Sequence, residues 1–162
     1  MKTITRTKIY LPMAALIVTA ALALPASAQQ QVPFKGTFQG SDATTGVNIH
    51  ETATGMATLM GQFSLTMDVT INPADLTDTG SAQWIAANGD SIHTTVAGFA
   101  IPGDVVFTVW ETHTVTGGTG RFSGVQGSFV VHRTHVVALS PDGTHVTFGS
   151  FEGTMTPPGA TH

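Results

Sequence analysis

The chain has 162 residues, of which 10% are charged, with no cysteine and a formal net charge of −4. Without cysteine there is no disulfide framework and no thiolate chemistry. An acidic balance makes nucleic acid and anionic lipid surfaces poor partners.

Residues 1–28 carry Lys2, Arg6 and Lys8, then an apolar run from Met13 to Leu24, then Ala26-Ser27-Ala28. That order of charged, apolar and small residues is the pattern of a secretory signal peptide, with cleavage expected after Ala28. The apolar run is too short to span a bilayer as a helix. The pattern predicts a secreted or periplasmic protein of bacterial type whose mature part, residues 29–162, is one domain. Loss of three of the six Lys and Arg residues moves the formal charge to −7 and leaves only Lys35, Arg121 and Arg133.

Beyond the signal the apolar positions alternate at period two, and Gly and Thr recur too often for an amphipathic helix. Strands are predicted over 33–40 and 47–54, joined by a turn-rich link over 41–46. The clearest strand is 61–71, where Phe63, Leu65, Met67, Val69 and Ile71 share one face and Gln62, Ser64, Thr66, Asp68 and Thr70 the other. Such alternation marks a sheet with one dry and one wet side. Asn72-Pro73 and the Thr and Asp residues after it are expected to form a loop.

Strands over 81–87 and 90–99 flank Asn88-Gly89, a signal for a two-residue hairpin that would set Trp84 opposite His93. A sixth strand, 104–115, leads into the glycine-dense run Gly117 to Gly127. This run has neither the full G-x-G-x-x-G spacing nor a helix behind it, so it is read as a structural connection and not a phosphate loop. It is expected to bring Trp110 over Gly127. The seventh strand, 128–139, and the eighth, 144–155, are joined by Ser140-Pro141-Asp142-Gly143.

Eight strands with short turns predict an all-β antiparallel meander that closes into a small barrel or packs as a sandwich. A membrane barrel is excluded by the absence of aromatic girdles, since the mature chain has no Tyr and only Trp84 and Trp110.

The Gly117-Gly118-Thr119-Gly120-Arg121-Phe122 element, with Gly55 to Phe63, Ala86 to Asp90 and Phe151 to Met155, resembles a group of small exported bacterial proteins of unknown function. The same element is similar to one in dirigent proteins and the related allene oxide cyclase barrels. The resemblance implies an eight-stranded antiparallel barrel. Dirigent proteins and allene oxide cyclases act by shaping an apolar cavity with few polar groups, but a shared fold does not transfer chemistry. None of their functional residues maps onto a position here.

Candidate site residues follow from strand faces. Glu111 and His113, two apart, share a face, but no third ligand accompanies them, so no metal site and no cofactor is predicted. His132 and His135, three apart, point to opposite sides. Pairing Leu139 with Thr144 places Arg133 and Glu152 diagonally on a face that also holds Phe129, His135 and Phe148. If that face is the interior, Glu111, His113, Arg133, His135 and Glu152 form a polar cluster among Phe129 and Phe148, the look of a ligand site. The alternative is that one bulge swaps the faces and turns these groups to water.

With no G-x-S-x-G elbow and no H-E-x-x-H, hydrolysis is not supported. The leading expectation is a non-enzymatic binding or structural barrel with a small apolar ligand. A cyclase-, isomerase- or dirigent-like enzyme and an oligomerising interaction module are the alternatives.

Overall fold

The computed structural model describes residues 30–159. The predicted signal peptide, residues 1–28, lies outside the described residues. Eight strands run in order: β1 (Val32–Thr45), β2 (Asn48–Ala57), β3 (Gly61–Asn72), β4 (Thr77–Ala86), β5 (Ser91–Ile101), β6 (Val106–Gly118), β7 (Gly127–Leu139) and β8 (His145–Met155). Each pairs antiparallel with its sequence neighbour, and β1 pairs with β8 to close the barrel. Closure leaves no unpaired edge.

Period-two alternation decides what fills the barrel. On β3, Phe63, Leu65, Met67 and Val69 are buried while the residues between them are exposed. The same alternation on the other strands brings Phe34, Trp84, Phe129, Phe151 and Met155 together toward one end. The rings of Phe34, Phe63, Trp84, Phe129 and Phe151 lie with several centroid separations of 5.0–5.3 Å, mostly tilted or edge-on, as their quadrupoles favour. That aromatic end is closed by the 3-10 turn Gly120–Phe122, whose Phe122 is fully buried.

Several local expectations are corrected. Residues 41–45 are strand, not a turn-rich link, and Gly46 (φ 64) makes the turn into β2. Strand β4 begins at Thr77, four residues earlier than the loop reading allows.

The Asn88-Gly89 turn holds three residues, because Ala86 N–H donates to Asp90 O at 2.8 Å and only Gly89 has a positive φ. Trp84 therefore faces Ile92 and not His93, which puts both apolar side chains on the inner face. In the glycine run the positive φ values fall at Gly120, Gly124 and Gly127, and Trp110 stacks on His132 at 4.2 Å on the outer face. Gly127 is crossed by Met155 of β8 and not by Trp110.

The last hairpin carries the most consequential correction. The β7–β8 turn is one residue longer than expected, pairing Leu139 with His145 and not Thr144, and an irregularity between His135 and Leu139 takes up two further residues of β7, so that Arg133 pairs with Gly149. A slip of one residue exchanges the faces of a strand. Thr147, Gly149 and Phe151 of β8 thus turn inward, and Phe148 and Glu152, expected in the cavity, are exposed on the outer surface.

Candidate functional site

At the end of the barrel opposite Phe122, where the β1–β2, β3–β4, β5–β6 and β7–β8 turns gather, the alternation delivers ionisable groups to the interior. Asp42 (β1), Glu51 (β2), Asp78 (β4), Glu111 (β6) and Arg133 (β7) are all buried. Two glycines on inward-facing positions, Gly80 and Gly98, have no room for a Cβ. Gly98 pairs with both Asp78 and Glu111, so the two carboxylates converge over it.

Arg133 organises the cluster. Its Nε and Nη2 donate to Glu111 Oε2 and Oε1 at 3.3 and 2.7 Å, a two-point guanidinium–carboxylate contact across β6 and β7. Its Nη1 stands 3.0 Å from Glu51 Oε2 and 3.7 Å from Asp42 Oδ2. Neither Nη1 nor Glu51 makes an aligned hydrogen bond, so these approaches are Coulombic contacts. Asp42 Oδ2 is also 2.9 Å from His135 Nδ1.

One guanidinium thus faces four carboxyl groups, and burial penalises each charge. Burial pushes the Glu51 carboxyl up to about 7, with Glu111 and Asp42 adding to the effect and Arg133 opposing it. Burial and the nearby Glu111 raise Asp78 to about 6, again against Arg133. For Arg133 burial alone would lower the pKa, but Glu111, Glu51 and Asp42 outweigh it and hold the guanidinium charged.

Above this cluster lies a cavity of about 230 Å³. Ile49, Ile71, Leu76, Ala100, Phe107 and Val109 supply apolar walls, and Asp78, Arg133, His135 and His145 are its ionisable lining. Leu76 is held at φ 58 at the mouth, where its carbonyl accepts from Ala100 N–H at 2.9 Å. A left-handed conformation in a leucine is strained and persists only where surrounding contacts enforce it.

Of the residues singled out from the sequence, the structure brings together Glu111, Arg133 and His135. His113 and Phe129 are interior but one layer deeper. Their rings stack at 5.1 Å, and Thr94 Oγ1 is 3.0 Å from His113 Nδ1. Burial, helped by Arg133, lowers the His113 pKa to about 3, so this imidazole is neutral core.

Sequence reasoning missed Asp42, Glu51 and Asp78. Asp42 and Asp78 fall in stretches read as turn or loop, whereas Glu51 alternates with Ile49 and Ala53 on a predicted strand, a signal that was available. Among the described residues no group of three or more His, Asp and Glu side chains is arranged to hold a metal ion.

The barrel is similar to the solved structure of a pterocarpan synthase dirigent protein, with a TM-score of 0.53 over 91% of this chain and 97% of that one. At 11% identity the likeness is one of fold. It bears out the resemblance to dirigent and allene oxide cyclase barrels at that level. No protein-family model matches the chain, and no curated protein matches its sequence.

Proposed function

We propose that the chain is an exported, non-enzymatic binding barrel that takes a small, largely apolar molecule into the cavity at its charged end. The observation that carries this reading is the form of the cavity, with apolar walls over an ionisable floor. Ligand sites are commonly built in this way, with a few convergent polar groups fixing orientation. At about 230 Å³ it exceeds the ~150 Å³ that accommodates benzene in an apolar protein cavity. The ligand class is therefore a single substituted ring or an aliphatic molecule of similar size. Likeness to a dirigent barrel agrees with a cavity role. The sequence pattern of residues 1–28 supports export, and the polar outer face of β3 suits an aqueous setting.

The test is an NMR titration of the purified protein with a panel of single-ring compounds. Amide shifts should concentrate at Ile71, Leu76, Phe107 and Val109 and should vanish in Ala100→Trp, which fills the mouth. Shifts scattered over the outer strands, or none, would reject the reading.

A second reading is proton-transfer catalysis of the cyclase or isomerase kind. It is favoured by one observation, the His135–Asp42 contact beside a Glu51 carboxyl that titrates near neutrality. It predicts turnover of a bound compound that Asp42→Asn abolishes while binding persists.

A further inference from the structure

The cavity's floor carries more negative than positive potential charge, and the arrangement decides which sign of ligand it can accept. Arg133 is the one guanidinium at this site, and it is committed: Nε and Nη2 are bonded to Glu111, and Nη1 is 3.0 Å from Glu51. Nη1 makes no aligned hydrogen bond, but an anion approaching it would meet the Glu51 and Asp42 carboxyls that already flank it at 3.0 and 3.7 Å. Asp78, 5% exposed and lining the cavity, feels Arg133 only beyond ion-pair distance, and its Oδ1 meets no hydrogen-bond donor. An unsatisfied buried carboxylate oxygen calls for a donor, and a charged donor forms the stronger bond.

We propose that the ligand of this cavity is a small amine, bound as its ammonium ion with Asp78 as counter-ion and its apolar body against Ile71 and Val109. This inference rests on the binding reading above and names its ligand class. The rings of Phe107 and His135, 6.0 Å apart between centroids, stand at the same cavity and suit a cation with an aromatic or aliphatic body.

Protons now do part of what the ammonium would do. The charged or titratable groups around Asp78 are Asp42 on β1, Glu51 on β2, Glu111 on β6, Arg133 and His135 on β7 and His145 on β8. The inward positions of β3 and β5 at this level are Ile71, Gly98 and Ala100, which carry no charge. Because the Asp78 carboxyl holds its proton up to about pH 6, an entering ammonium displaces that proton below this value.

Isothermal titration of the purified protein with benzylamine, benzyl alcohol and benzoate separates the possibilities, since the three share a ring and differ in the head group. Benzylamine should bind at least about tenfold more tightly than benzyl alcohol at pH 8, with benzoate weakest. Its affinity should fall about tenfold between pH 8 and pH 5, with proton release at pH 5 read from the dependence of the heat on buffer ionisation. Asp78→Asn should abolish the preference for benzylamine while leaving benzyl alcohol binding in place. The proton count is made on the unaltered protein, so it decides the matter even if that variant fails to fold. Equal or tighter binding of benzyl alcohol or benzoate overturns the amine inference and leaves the binding barrel standing. Binding of none of the three overturns both.

Discussion

Arg133 and Glu111, on neighbouring strands and each at most 2% exposed, meet through two hydrogen bonds of 2.7 and 3.3 Å. This pair fixes the floor of the cavity, because it consumes the donors that would otherwise bind Asp42 and Glu51 more closely. Removing one partner of a buried pair leaves the other charge stranded, at a cost of about 3–5 kcal/mol. Arg133→Met should therefore destabilise the barrel by about that amount in urea unfolding at pH 8. The loss should be smaller at pH 4.5, where the orphaned carboxyls can take up protons. Adding Glu111→Leu to Arg133→Met should recover part of the loss. A double variant as unstable as the sum of its single substitutions would show that the two side chains are not coupled.

Stability should depend on pH with an unusual sign. Glu51 has a folded pKa of about 7 against an ordinary 4.5, so its favourable contribution is fully present below 4.5 and is lost as pH rises through about 7. Asp78 behaves alike between 3.8 and about 6. His113 acts oppositely: its neutral burial contributes above 6.5, and that contribution is lost as pH falls toward about 3. Between about pH 4.5 and 6 two carboxyls outweigh one imidazole, so the urea midpoint should be highest near pH 4–5 and decline toward pH 8. Glu51→Gln should flatten the decline, stabilising the protein by roughly 1–3 kcal/mol at pH 8 and by little at pH 4. A midpoint that rises from pH 5 to pH 8 would contradict this account.

Gly98 is the backbone position that lets two carboxylates share one site. A Cβ there would meet the carbonyl oxygen of Trp110, would stand 2.7 Å from Glu111 Cγ and would stand 2.9 Å from Asp78 Oδ1. The carbonyl belongs to the β5–β6 ladder and cannot yield cheaply. Gly98→Ala should cost about 1–3 kcal/mol in chemical denaturation and should weaken ligand binding by displacing Asp78. An alanine variant with unchanged stability and unchanged titration would remove Gly98 from the site.

The barrel was legible in the sequence because alternation, glycine and turn residues act locally, and the eight predicted strands correspond to the eight observed. The site was only partly legible because it depends on register. His135 and Arg133 were placed on one shared face by their two-residue spacing, which the two-residue irregularity farther along β7 does not alter. The turn before β8, one residue longer than expected, moved that strand by one residue, so Glu152 and Phe148 face outward and Phe151 inward. Asp42 and Asp78 were hidden for another reason. A buried carboxylate at a strand end looks in sequence like an ordinary turn residue, and only closure of the barrel, which sets β1 beside β8 and β8 beside β7, brings Asp42 to Arg133. In consequence Glu152→Gln and Phe148→Ser should leave cavity binding unchanged, a comparison that checks the register directly by the same titration.

The glycine run acts at the far end of the barrel. Its 3-10 turn presses Phe122, 0% exposed, into the aromatic core, and the Arg121 guanidinium sits 4.9 Å from that ring while donating to Met60 O at 3.1 Å. Gly120 takes φ 55 with the Asp90 carboxylate directly against it, and Asp90 Oδ2 accepts from Arg121 N–H at 3.3 Å. Phe122 is thus a plug seated by a glycine that no other residue replaces without strain. Phe122→Ala should destabilise the protein by about 3–5 kcal/mol, the cost of an aromatic-sized cavity in a close-packed core. The turn and the ligand cavity lie at opposite ends, so the folded fraction of Phe122→Ala should keep its ligand affinity within about twofold, in keeping with additivity between distant sites. Unfolding and titration of the same sample check both halves. A stable variant would refute the plug, and a folded variant that no longer binds would show that the two ends are coupled through the aromatic core.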